Sequence, residues 1–159
     1  MKVFKAGMIV ALSGLFIAQA VNFGLLRSSF KRKQKPSSFG DKVKLKSEAL
    51  SILQQVLNSE VAIRNALNSI AATLNRMTGN EEIQRELSYA DKMSREAFQL
   101  MDKIRPDLTK VTNDTIEGEK ATSVLLLAKD FLLRISIQKS RIEQAAMKAE
   151  LLESQHKKV

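Results

Sequence analysis

The chain has 159 residues, with no Cys, one His and a net charge of +9. The lack of Cys excludes disulfides, thiolate metal sites and Cys nucleophiles, and the single His excludes a multi-His metal centre. The positive charge is unevenly placed, because residues 1–46 hold ten Lys or Arg and one acid, whereas residues 47–159 hold sixteen of each sign. A nucleic-acid-binding domain carries its basic charge on the folded body, so we expect no nucleic-acid partner.

The first element is an uncharged apolar stretch, residues 6–26. At about 1.5 Å per residue, such a helix spans roughly 30 Å, the thickness of the hydrocarbon core of a bilayer. We therefore predict a single transmembrane helix and an N-terminal membrane anchor at residues 1–26. The alternative is a cleaved signal peptide, since Ala18 and Ala20 flank Gln19 in a small-x-small cleavage pattern. Cleavage near Ala20 would release an exported helical protein.

A basic cluster follows the apolar stretch directly and consists of Arg27, Lys31, Arg32, Lys33 and Lys35. Such a cluster opposes translocation of the chain that follows it, which favours a retained anchor with the body on the cytoplasmic, matrix or stromal side. The same residues are candidates for binding anionic lipid headgroups, at about 1 kcal/mol for each Lys or Arg. Pro36 and Gly40 interrupt a helix, so residues 27–40 are predicted to form a basic juxtamembrane collar and hinge.

Beyond the hinge, apolar residues recur at steps of three and four, the heptad pattern of helices that pack side by side. This pattern predicts three helices within residues 41–159, at about 42–78, 81–104 and 119–155. Their short connections favour an antiparallel bundle with coiled-coil-like packing. The predicted fold class is all-α, with one N-terminal transmembrane helix followed by a three-helix antiparallel bundle.

Local signals predict where these helices begin and end. Asp41 and Asn80 are the expected N-caps of the first two helices, and Gly79 suits the turn between them. Pro106 is expected to end the second helix, because proline lacks the N–H that continues the backbone ladder. Residues 108–118 would then form a polar loop.

The first and third helices carry more apolar residues than one core-facing stripe requires. The surplus residues lie off the heptad seams and are Leu50, Leu57, Val61, Leu126, Leu133 and Ile137. Because leaving several large apolar side chains in water is costly, we predict that these six contact another chain or a second copy of this one. The alternative is that the third helix lies at the centre of the bundle and the loop at 108–118 covers its back.

No motif in the chain indicates chemistry. It has no Gly-rich phosphate loop, no G-x-S-x-G and no H-E-x-x-H, and its helical acids lack the His partners of a bundle metal site. We expect no enzymatic activity, no cofactor, no metal and no small-molecule substrate. The sequence predicts a structural or accessory subunit, or a tether, of a larger membrane complex, with lipids and other protein subunits as partners. The mitochondrial inner membrane is favoured over a bacterial plasma membrane or an endomembrane.

Overall fold

The computed structural model describes residues 39–158, all of which belong to one compact unit, Ser37–Val159. It consists of the helices α1 (Phe39–Arg76), α2 (Glu81–Thr112) and α3 (Gly118–His156), and this range contains no strand. The prediction of an all-helical body is confirmed. The predicted anchor at residues 1–26 lies outside the described residues, and so does the predicted collar as far as residue 38. Within residues 39–158, no helix is both long enough and apolar enough to cross a membrane.

Ion pairs between the helices give their relative directions. Glu48 near the start of α1 pairs with Lys129 in the first half of α3. Arg76 at the end of α1 pairs with Glu153 near the end of α3, 2.8 Å away. α1 and α3 therefore run parallel, and α2 runs antiparallel to both, because short connections reverse the chain on either side of it. Each helix packs against the other two, as in an up-down-up bundle.

The core is formed by apolar residues that recur at steps of three and four along each helix, as the heptad pattern predicted. The buried apolar residues of α1 are Ala49, Ile52, Val56, Ile63, Ala66 and Ile70. Those of α2 include Ile83, Ala90, Ala97, Met101 and Ile104. Those of α3 include Ala121, Leu125, Ala128, Ile135, Ile142 and Ala149. Alanines on all three helices let the backbones approach closely, while Ile and Met fill the space between them.

Hydroxyl side chains fill the gaps in two of the seams. Thr73 and Ser94 are both buried. The Thr73 hydroxyl donates to the carbonyl of Ser69 at 2.9 Å, and the Ser94 hydroxyl donates to the carbonyl of Asp91 at 2.8 Å. Because each bond satisfies the hydroxyl within its own helix, these residues occupy core positions without needing a partner on another helix.

α2 continues to Thr112, so the prediction that Pro106 ends the second helix is wrong. Leu108 and Val111 lie beyond the proline and are buried in the core. Burying each of them contributes roughly 1.5–3 kcal/mol, which offsets the cost of about 3 kcal/mol for proline inside a helix. Pro106 and Asp102 are both exposed, so the carbonyl that lacks an N–H partner lies on the solvent side of α2. The polar loop is accordingly shorter than predicted.

The other helix ends agree only in part with the sequence predictions. The side chain of Asn80 accepts a hydrogen bond of 3.1 Å from the backbone N–H three residues later, as an N-cap does. Gly79 has φ +84°, the left-handed conformation expected after a helix. α1, however, begins at Phe39, so Gly40 belongs to the helix rather than to a hinge. Asp41 lies in the first turn instead of at the N-cap, where its charge still complements the helix dipole.

Candidate functional site

Acidic side chains of α2 lie in surface ion pairs. Glu81 pairs with Arg85 at 3.2 Å, and Glu86 pairs with Lys148 of α3. His156 is exposed at the end of α3. Nowhere in residues 39–158 are three His, Cys, Asp or Glu side chains grouped so that they could hold a metal ion. What this part of the chain does present is a set of partly apolar surfaces.

The three predicted docking residues of α1 are exposed to solvent. Leu50, Leu57 and Val61 expose 53%, 51% and 51% of their surface. Val43, which is not one of the predicted docking residues, exposes 54% of its surface and lies seven residues before Leu50 in the same row. A single exposed apolar residue is ordinary, but four of them along one helix face form a patch. We call these four residues the α1 stripe.

From Leu50 to Val61, the α1 stripe lies on a helix face that carries almost no charge. Between residues 47 and 72, Arg64 is the only charged residue of α1 that is exposed. The remaining exposed residues outside the stripe are neutral: Ser47, Ser51, Gln54, Gln55, Asn58, Asn65, Asn68 and Ala72. A helix face that meets only water normally carries charged residues, so this composition is unusual for a free surface.

Arg64 is itself held in an ion pair within the chain. Its guanidinium lies 2.9 Å from the carboxylate of Glu60 and 5.0 Å from the ring centre of Phe98 on α2. Glu60 also pairs with Arg105 of α2. Hydrogen bonds from Arg64 and Arg105 lower the pKa of Glu60 below its ordinary value, although burial acts in the opposite direction. The ionised carboxylate therefore links α1 to α2 beside the stripe.

The register of α1 assigns the stripe to one flank of the helix. Leu50 and Leu57 precede Arg64 at intervals of seven residues, and Arg64 contacts α2 through Phe98. Residues seven apart lie in one row along a packed helix, so the stripe borders the side of α1 that faces α2.

The predicted docking residues of α3 are half-buried and lie elsewhere on the bundle. Leu126 and Leu133 lie three residues before and four residues after Lys129, which pairs with Glu48 of α1. They therefore border the side of α3 that faces α1. Ile137 instead lines a groove between α2 and α3. The six predicted docking residues thus do not form one continuous surface, and a docking role for those on α3 stays a prediction.

The groove between α2 and α3 is an open depression of about 410 Å³. Its lining is mixed in charge, with Glu96 and Lys103 from α2 and Arg134 from α3. The side-chain amide of Gln138 donates to the carboxylate of Glu96 at 2.7 Å. The Gln138 carbonyl oxygen is the only buried side-chain polar atom of the described residues that lacks a hydrogen-bond partner. The groove is open to solvent, and we assign it no ligand.

A polar clamp joins the far ends of α1 and α3. The Arg76 guanidinium donates two hydrogen bonds of 2.8 Å to the buried carboxylate of Glu153, and Lys157 lies 2.7 Å from the same carboxylate. The hydrogen bonds from Arg76 and Lys157 lower the pKa of Glu153 to about 2. A carboxylate held in this way is a poor proton acceptor and is ill suited to act as a general base.

The predicted lipid-binding and topogenic residues lie outside the described residues. They are Arg27, Lys31, Arg32, Lys33 and Lys35. Their roles in binding headgroups and in setting the orientation therefore stay predictions.

No protein-family model matches the chain, and neither the comparison with curated proteins nor that with solved structures finds a match. A function must therefore be inferred from the residues of this chain itself.

Proposed function

We propose that the chain is a non-enzymatic, single-pass membrane protein whose helical body acts as a structural or accessory subunit, or a tether, of a larger membrane complex. The observation that carries this proposal is the outward face of α1. Between residues 47 and 72 it combines three apolar side chains that are about half exposed, Leu50, Leu57 and Val61, with an almost complete lack of charge. Exposed apolar side chains together with depletion of charge are typical of the core of a protein–protein interface.

The apolar residues 6–26 and the basic cluster after them support the membrane part of the proposal. The length of the stretch suits a span, and the cluster suits both retention of the body on the cytoplasmic, matrix or stromal side and contact with anionic headgroups. The partners that we propose are membrane lipids and other protein subunits, including a second copy of the chain. We place the protein in the mitochondrial inner membrane ahead of a bacterial plasma membrane or an endomembrane.

Extraction from native membranes tests the anchor and the complex together. We expect the chain to resist alkaline carbonate and high salt, to be released only by detergent, and then to migrate in a native gel well above the position of a 17.8 kDa chain. Release by carbonate would overturn the anchor. Migration of the detergent-released chain as a single copy would overturn the subunit role.

The pattern around Gln19 makes an exported, cleaved protein the second candidate. Mass spectrometry of the N-terminus of the native protein separates the two candidates. A mature chain that begins at Val21 would favour export, whereas a chain that retains residues 6–26 would support the anchor.

A further inference from the structure

α1 carries a second heptad seam on its exposed side, next to the flank that faces α2. It continues at steps of four and three residues through Val43, Ser47, Leu50, Gln54, Leu57, Val61, Arg64 and Asn68. All eight residues are exposed, whereas the core seam of the same helix is buried. A single seam is enough to hold α1 in the three-helix bundle, so the second is free to pack against another helix.

The second seam is complementary to itself when two copies of α1 run antiparallel. About a two-fold axis between residues 55 and 56, Leu50 meets Val61 of the other copy and Gln54 meets Leu57. The next layers place Ser47 against Arg64 and Val43 against Asn68. The two layers nearest the axis thus pair Gln54 with Leu57, and an apolar layer of Leu50 and Val61 lies beyond each of them, in the two-fold symmetric order of an isologous interface. We propose that this seam joins two copies of the chain through an antiparallel α1–α1 contact.

Charge favours this occupant and this direction. Residues 47–159 carry sixteen charges of each sign, so two copies of the body do not repel each other through net charge. Arg64 is the only charged residue of the second seam, and it pairs with Glu60 of its own chain. An antiparallel pair places Arg64 against Ser47, whereas a parallel pair would place Arg64 directly against its own copy. On the flank of the seam, Ser51 meets Asn58, so no like charges face each other there.

The antiparallel direction has a geometric consequence. Phe39 lies between 16 and 17 residues from the two-fold axis, so the two copies of Phe39 are about 50 Å apart at opposite ends of the pair. The N-terminal ends of the two α1 helices therefore lie at opposite ends of the pair. This pairing does not depend on the proposed membrane anchor.

Cysteine cross-linking of the full chain in detergent tests the direction, because the native sequence contains no Cys. Leu50→Cys and Val61→Cys are prepared as separate single variants and mixed. We expect mild oxidation to join a Leu50→Cys chain to a Val61→Cys chain, because these positions share a layer. Either variant alone should stay uncross-linked, since the like positions are about 17 Å apart in the antiparallel pair and a disulfide needs Cα atoms within about 7 Å.

Efficient cross-linking of either variant to itself would indicate a parallel or non-specific contact and would overturn the proposal. Failure of the mixture to cross-link would overturn it as well. Neither outcome affects the carbonate test of the anchor, so the two proposals can fail separately.

Sedimentation of the full chain in density-matched detergent tests the surface itself. We expect two copies of the 17.8 kDa chain in the native protein. The double variant Leu50→Glu, Leu57→Glu should raise the dissociation constant more than about 30-fold, the loss expected from removing hot-spot residues. The matched control is Leu127→Glu, Met147→Glu, because these α3 residues expose 52% and 59% of their surface and lie outside the seam. A monomeric native chain, or equal loss of dimer in both double variants at unchanged helicity, would refute the seam.

Discussion

Glu153 is the only charged residue among residues 39–158 that is buried. The heptad pattern did not predict its burial, because the pattern is defined by apolar residues and the neighbouring Leu152 fits it. Its position is nevertheless one heptad after the core residue Ala146. A carboxylate is tolerated there because Arg76 reaches it from the end of α1, a contact between residues 77 positions apart that no local pattern encodes. Buried charges of this kind are where predictions based on periodicity fail.

The pKa of Glu153 makes the stability of the bundle depend on pH in acid. In the folded chain its pKa is lowered from 4.5 to about 2 by the hydrogen bonds from Arg76 and Lys157. The unfolded chain therefore takes up the proton first, so the stabilisation is complete above pH 4.5 and is lost as the pH falls towards 2. We expect the thermal midpoint of the native chain, followed by circular dichroism, to fall over this range. Glu153→Gln should remove part of that fall.

The matched control for this pH dependence is Asp102→Asn, which replaces an exposed carboxylate by its amide. It should leave the acid-induced fall in the midpoint nearly unchanged. Equal pH profiles for Glu153→Gln and the native chain would contradict a stabilising role for the Arg76–Glu153 pair.

Ile63 tests the core at the scale of one side chain. It is fully buried in the middle of α1, in the seam that the sequence correctly predicted. Ile63→Ala should lower the free energy of unfolding by about 2–5 kcal/mol, because the deleted methyl groups leave a cavity. Leu127→Ala, at a residue that is half exposed, should change it by less than about 0.5 kcal/mol. Urea unfolding followed by circular dichroism measures both values, and similar losses in the two variants would contradict this assignment of the core.

At the scale of whole helices, spacing alone was sufficient to predict that α1, α2 and α3 exist and which faces they bury. The end of α2 could not be predicted in the same way. The rule that proline ends a helix describes local backbone geometry, whereas here the burial of Leu108 and Val111 after the proline outweighs it. The start of α1 at Phe39 departs from the prediction by only a few residues. Errors of that size are common at helix ends, where local signals compete.

Pro106 should therefore be a weak point within a helix that is otherwise regular. Replacing it by Ala restores an N–H that can donate to the carbonyl of Asp102, and the exposed position leaves room for the change. We expect Pro106→Ala to raise the free energy of unfolding by roughly 1–3 kcal/mol without changing the helical content. Asp107→Ala, one residue later, removes no proline and should have a much smaller effect. Destabilisation by Pro106→Ala in urea unfolding would show that the proline is required for the path of α2.

At the scale of the whole molecule, the sequence could not predict how the surplus apolar residues are distributed. A heptad pattern indicates which face of a helix is buried, but it does not indicate which neighbour lies on its left and which on its right. That choice depends on the handedness of the bundle. It separates Leu50 and Leu57, which border α2, from Leu126 and Leu133, which border α1. Residues that look like one docking set in the sequence thus lie on different flanks of the bundle.

The uneven distribution of charge, by contrast, can be derived from the sequence, and it leads to a prediction about orientation. All of the net positive charge lies in residues 1–46, and the collar residues Arg27, Lys31, Arg32, Lys33 and Lys35 outnumber Lys2 and Lys5 on the other side of the predicted span. Because basic residues close to a span stay on the side of synthesis, the collar should hold the body there. Replacing all five collar residues by Gln leaves Lys2 and Lys5 close to one end of the predicted span, whereas the nearest basic residue beyond its other end is then Lys42. We expect part of the population to invert.

Protease added outside sealed vesicles measures this inversion, because it should spare the body of the native chain and digest the body of inverted chains. The control replaces five exposed basic residues of the body by Gln, namely Lys92, Lys103, Lys120, Arg141 and Lys158. It removes the same total charge, but at positions far from the span, so the body should stay protected. Equal protection of the body in the native, collar and control chains would contradict an orienting role for the collar. Basic residues orient a span only when they lie close to it, so the collar variant and the control variant should differ.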